Sequence, residues 1–147
     1  MSRSRDSRKA RESRRTRPPT ACPCGSGRAY ADCCKPAHTG ARPAPTAEAL
    51  MRSRYSAFVL GDAGYLLRSW DPATRPARLE LDAGVRWTGL EILRTEGGGE
   101  GPFHTAGTVE FTAHSSQGDL HEVSRFGRDA AGRWVYVDGV VTDTQSG

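Results

Sequence analysis

Hydrophobic residues fall into two regimes along this chain. Between Thr46 and Trp70 they recur at helical spacing, and from Val85 onward they alternate with polar residues. In the first regime Leu50, Met51, Arg54, Tyr55, Phe58 and Val59 fall on one side of a helix predicted over 46–60. Thr46 can cap that helix, Glu48 favours its positive end, and Gly61 can terminate it. Asp62 can cap a second, shorter helix carrying Tyr65, Leu66, Leu67 and Trp70, which Asp71-Pro72 stops. With so little chain between them, the two helices should pack as a corner around one core. In the second regime the period of two predicts strands near 85–94, 105–114, 120–128 and 133–138. Val109, Phe111 and Ala113 alternate with Glu110 and Thr112. Leu120, Glu122, Ser124 and Phe126 share one face, and Trp134, Tyr136 and Asp138 share another. The intervening Gly97-Gly98-Gly99, Gln117-Gly118 and Ala131-Gly132 are turn material, so the strands should form antiparallel hairpins. Helices followed by a meander define an α+β domain with its helices on one face of the sheet.

Composition adds an appendage to that domain. The chain has 147 residues, 36% of them hydrophobic, enough for one modest core. The net charge of +4 is unevenly placed: residues 1–20 hold eight Arg or Lys and two acidic residues, leaving a mildly acidic remainder. That Arg- and Ser-rich opening reads as a disordered, solvated tail. A contact with the ribosome or a nucleic-acid backbone is the alternative, weakened by the lack of interleaved aromatics. Residues 37–45 read as a linker, with Pro36, Pro43 and Pro45 opposing regular structure; 143–147 read as a second tail. No apolar run approaches the ~20 residues that span a bilayer. A membrane association is therefore not expected.

All four cysteines lie in one short stretch: Cys22 and Cys24 as a C-x-C pair, Cys33 and Cys34 adjacent, with Gly25-Ser26-Gly27 able to turn the backbone between them. Four thiolates delivered in two pairs match a closed tetrahedral zinc site. Disulfides and free or redox thiols are the alternatives. Adjacent cysteines bridge only with strain, and no secretory signal places the chain in an oxidising compartment. The expected metal role is structural, since four sulfurs leave no coordination position for water. His38 could stand in for Cys34. Arg28 and Lys35 flank the cluster and could balance its negative charge.

This stretch resembles the SEC-C zinc knuckle, with C-x-C-x8-C-C standing as Cys22, Cys24, Cys33 and Cys34. The resemblance extends further. Leu50-Met-Arg-Ser-Arg-Tyr-Ser-Ala-Phe58, Tyr65, Trp70-Asp-Pro72, Trp87-Thr-Gly-Leu90, Val109-Glu-Phe111, Ser124-Arg-Phe126 and Gly132-Arg-Trp-Val-Tyr-Val-Asp-Gly139 are similar to the YchJ-like family of small bacterial proteins. That likeness covers about residues 21–140 and implies a domain over 46–142 like nuclear transport factor 2, a curved sheet cupped around helices to make a cone. The knuckle, over 21–36, is expected to be a compact knob ahead of an independent cup. Many members carry a second knuckle at the C-terminus. This sequence has no further cysteine, so a role needing two is not expected.

Two functional classes follow. The first is a non-enzymatic, cytoplasmic interaction module with one structural zinc ion. It would dock a protein partner, the ribosome or the translocation machinery through Arg28 and Lys35, by analogy with SEC-C knuckles elsewhere. The second is a small-ligand binder or acid/base enzyme using the cone cavity, with Arg54, Tyr55, Trp87, Glu122, Arg125, Trp134, Tyr136 and Asp138 as candidate lining. Ordinary structural roles compete with each: Arg54 could pair with Glu122 or Asp138, Asp138-Gly139 could be a turn, and Tyr55, Trp87 and Trp134 could be core. His104, His114 and His121 lack metal-ligand grouping and read as surface residues. No catalytic constellation or nucleotide-binding fingerprint occurs, which favours the interaction module.

Overall fold

The structure is a computed structural model describing residues 21–142; the basic opening segment and 143–147 lie outside the described residues. Three helices precede four strands: α1 (Lys35–Thr39), α2 (Ala47–Leu60), α3 (Ala63–Arg68), β1 (Trp87–Gly97), β2 (Ala106–Ser115), β3 (Leu120–Arg128) and β4 (Trp134–Val141). The strands form one antiparallel meander in the order β1-β2-β3-β4.

The caps fall where the side chains require them. The Thr46 hydroxyl accepts from the Ala49 amide at 3.0 Å, and the Asp62 carboxylate from the Tyr65 amide at 3.0 Å. Each satisfies an amide that the first helical turn leaves without a partner. Helix α1 departs from the sequence reading, in which the knuckle ends at Pro36 and 37–39 begin a linker. Pro36 stands in its first turn, where a missing N–H costs nothing, and Gly40 ends it.

Helix α2 is the centre of the molecule. Leu50, Met51 and Tyr55 pack with Val109, Phe111, Ala113, Phe126 and Trp134 from the sheet. Its buried surface is wider than the single apolar stripe of the sequence: Ser53, Arg54, Ser56 and Ala57 are also buried, whereas Val59 is exposed in the last turn. Two layers besides the sheet account for this. Tyr65 and Leu66 of α3 cover Ala57, and the cysteine-bearing segment covers Ser53 and Ser56.

That segment is not an independent knob. Cys22, Cys24 and Cys34 belong to the same buried cluster as Leu50, Met51 and Phe111. The Arg52 guanidinium donates to the Cys24 carbonyl at 3.0 Å, and Arg68 donates to the His38 carbonyl at 2.5 Å. The sequence reading missed this because the contacting residues are polar or small and carry no periodic signal.

One irregularity in the sheet decides which side chains face the helices. Phe126 pairs with Tyr136, but the next residue, Arg125, pairs with Asp138, so Val137 is an extra residue in β4. A bulge of this kind reverses the alternation. Tyr136 faces the helices and Asp138 faces out, so Trp134, Tyr136 and Asp138 do not share a face as the simple period implied. Gly139 lies within β4 rather than in a turn.

Candidate metal centre and cavity

The cysteine loop reverses direction at Gly25 and Gly27, whose φ angles of 79° and 86° lie in the left-handed region that glycine enters freely. The Cys22 amide then donates to the Arg28 carbonyl at 2.9 Å and closes the loop. A short 3-10 turn, Tyr30–Asp32, delivers Cys33 and Cys34 to the same place. The four sulfurs lie within 4.8 Å of one another. Cys24 and Cys33 are 3.5 Å apart at sulfur, and Cys33 and Cys34 are 4.0 Å apart. A metal–sulfur bond of about 2.3 Å in a tetrahedron puts its sulfurs about 3.8 Å apart, so the spacing fits one metal ion. It is far beyond the ~2.05 Å of a disulfide bond.

The surroundings are those of a thiolate site. Ser56, fully buried on α2, directs its hydroxyl at the sulfurs of Cys34 (3.3 Å) and Cys22 (3.5 Å), and the Ser26 hydroxyl lies 3.1 Å from Cys33. Hydrogen bonding from the Cys34 thiol holds the Cys24 thiol well below its ordinary range, to about 4. The same contact, together with burial, pushes Cys34 up. Burial pushes Cys33 up. Thiolates crowded this closely need a cation among them to offset their mutual repulsion. The nearby cation is Arg52, which was not foreseen; it also pairs with Glu48 at 3.0 Å. Arg28 and Lys35 are exposed on the outside of the loop instead.

His38 is not a fourth ligand. It is buried, with Nε2 2.7 Å from the Ser53 carbonyl and Nδ1 2.6 Å from the Tyr30 hydroxyl, and its ring packs on Tyr65. Both ring nitrogens are thus committed to hydrogen bonds. Of the other histidines, His104 is exposed, His114 sits between Asp119 and Glu91, and His121 is half-buried against Glu110 rather than free at the surface.

On the opposite side of α2, between the helix and the sheet, lies a cavity of about 210 Å³. Arg54, Tyr55, Trp87, Glu122 and Tyr136 of the eight candidates line it. The other three do not. Arg125 and Asp138 form an exposed bidentate pair on the outer face, at 2.6 and 2.5 Å, because of the β4 bulge. Trp134 is buried beneath the Arg128 guanidinium, 4.3 Å from it, and borders a different depression.

Arg54 does not pair with Glu122 or Asp138. One of its terminal nitrogens donates to the Leu66 carbonyl and the Ser69 hydroxyl, each at 2.7 Å. Its guanidinium also lies 4.5 Å from the Tyr136 ring and 5.1 Å from that of Trp70. Burial depresses its pKa to about 10. Glu122 accepts instead from Ser124, at 2.5 Å, and from the Tyr136 hydroxyl, at 3.3 Å. Burial, with the Glu122 charge beside it, pushes Tyr136 up to about 12.

A cysteine knuckle packed on a helix-bearing antiparallel cup defines the class: a SEC-C motif joined to an NTF2-like α+β domain. The sequence matches the SEC-C motif over residues 20–36 and the YchJ middle NTF2-like domain over residues 46–139. The chain belongs to the YchJ-like family, whose bacterial members carry the name UPF0225. The UPF0225 protein of Streptomyces coelicolor is 60% identical over 126 residues, covering 86% of this chain and 99% of that one. That of Deinococcus radiodurans is 53% identical, covering 80% and 86%. Among solved structures, a SEC-C motif containing protein from Rhodopseudomonas palustris superposes with a TM-score of 0.70 at 35% identity, covering 83% of this chain and 98% of that one. A second, from Psychrobacter arcticus, gives 0.64 at 30% identity, covering 84% and 83%.

Proposed function

We propose that this protein is a zinc-binding interaction module, in which a structural zinc ion fixes the knuckle so that its outer surface can dock a protein partner. The observation behind this reading is the complete sulfur set. Four ligand atoms converge, three of the four cysteines are buried, and no coordination position is left for a substrate or water. Soft thiolates select zinc over oxygen-loving cations. Cysteines that must stay reduced also suit a reducing cytoplasm. On the outer side, Arg28 and Lys35 are exposed and free of the sulfurs, a cationic surface suited to an acidic patch on a protein partner.

Two measurements test this. Protein purified without chelator should contain zinc at one ion per chain; protein that folds normally without bound metal refutes the site. Because the knuckle shares the domain core, a cysteine substitution would disturb more than the surface. The docking test is therefore the double variant Arg28→Glu, Lys35→Glu, which should keep its zinc and lose partners captured by the wild type. Identical partner sets would exclude this surface.

A further inference from the structure

We propose that the cavity between α2 and the sheet is a binding site for a small zwitterion with an apolar body, of the kind represented by leucine or phenylalanine as free amino acids. This site is independent of the knuckle surface. Three features of the cavity support the assignment.

The first is a buried cation with donors to spare, held against the Trp70 and Tyr136 rings. Arg54 is only 4% exposed, yet among the described residues it makes no ion pair. Among the described residues its hydrogen bonds use one of the three guanidinium nitrogens. The group presents five N–H donors in a planar fork that matches a carboxylate. A buried charge with no carboxylate in direct contact is costly, and an arriving carboxylate would offset that cost.

The second is a carboxylate on the same wall. Glu122 lines the cavity, and Ser124 and Tyr136 both donate to its Oε2. Gly139 keeps this place open: a Cβ there would lie 2.1 Å from that oxygen. Arg54 and Glu122 face one small space without touching each other as an ion pair. A lone anion would meet repulsion from Glu122, and a lone cation would meet it from Arg54. A molecule carrying both charges satisfies both.

The third is the shape and character of the remainder. Met51, Phe58, Trp87, Phe111 and Leu120 make the other walls apolar. An apolar cavity of about 150 Å³ accepts benzene. The 210 Å³ here admits an apolar side chain together with an amino and a carboxylate group, but nothing of drug size.

The test is an NMR titration of the metal-loaded full chain with phenylalanine and leucine, alongside 3-phenylpropionate, which lacks the ammonium, and phenethylamine, which lacks the carboxylate. The amino acids should shift the Tyr55, Ala113 and Glu122 amides, and each half-charged analogue should bind about tenfold more weakly or worse. Glu122→Gln should weaken amino-acid binding by a similar factor and narrow the gap to phenylpropionate. Ala113 also lines the cavity, so Ala113→Leu, which narrows it without removing a polar group, should abolish binding in a protein that circular dichroism shows to be folded. Absence of shifts with either amino acid at millimolar concentration overturns the site. Equal binding of an amino acid and its half-charged analogue overturns the zwitterion assignment, as does unaltered binding to the Ala113→Leu protein.

Discussion

Replacing His38 by phenylalanine separates the metal-ligand role that the sequence leaves open for this residue from the internal brace that the structure shows. The ring is 7% exposed and is held at both nitrogens. A carbonyl can only accept, so Nε2 donates to Ser53 at 2.7 Å, while Nδ1 meets the Tyr30 hydroxyl at 2.6 Å. Phenylalanine keeps the packing on Tyr65 and removes both hydrogen bonds. Leaving a buried partner unpaired costs about 1–3 kcal/mol. Two considerations lower the sum. The Ser53 carbonyl lies mid-helix and also serves the backbone ladder, and Tyr30 is only half-buried, so water can reach its hydroxyl. A loss of about 2 kcal/mol follows, which lowers the melting temperature of a domain of this size by roughly 8 °C. The assay is thermal unfolding followed by near-UV circular dichroism, with metal quantified on the same sample. Metal content should equal that of the wild type. A variant that melts normally but has lost its metal would refute the brace and make the imidazole a ligand.

Three further outcomes follow from the same contacts. Ser56→Ala removes the hydroxyl shared by Cys22 and Cys34 and should weaken metal binding by about tenfold or more in competition with a chromophoric chelator; unchanged affinity would show that the hydroxyl does not act on the thiolates. The Asp119 and Glu91 carboxylates raise the His114 pKa above its ordinary value. Its folded value thus exceeds its unfolded one, so its contribution to stability is complete below the ordinary histidine range and is lost as pH rises through the raised value. An NMR titration placing His114 at or below 6.5 would contradict the pairing. Chelation should lower the unfolding temperature of the entire domain in one transition, since three cysteines lie in the main core; a separate knuckle transition with an unshifted domain would contradict that.

The parts of this molecule that were legible in its sequence are those written in periodic or locally paired residues. The caps at Thr46 and Asp62, the meander and the convergence of four cysteines depend on neighbours in the chain, and local chemistry specifies them. What was not legible depends on three-dimensional context. The β4 bulge changes no residue type, yet it moves Asp138 to the outer face and separates it from Tyr136. Arg54 reads as half of a salt bridge because buried arginines usually are; its partners are a carbonyl on α3 and the hydroxyl of Ser69 that follows it, neither of which sequence spacing marks. Arg28 and Lys35 seemed the natural cations for the thiolates by proximity in sequence. Arg52 holds that place because α2 passes beneath the loop.

The arrangement around α2 shows why a boundary in sequence need not be one in space. A knuckle of this length cannot bury enough apolar surface to fold alone. It gains stability from a metal and from a helix face, and it uses both here. Ser56 and Arg52 turn toward the sulfurs, while Met51, Arg54, Tyr55 and Phe58 turn toward the cavity. Without the knuckle, α2 would present Ser53, Ser56 and the edge of Leu50 to water, and the His38 brace to Ser53 would be gone. Without α2, two of the sulfurs would lose the buried hydroxyl that orients them. The small motif and the larger domain therefore complete one another through a single helix, and the proline-containing segment between them joins two halves of one core.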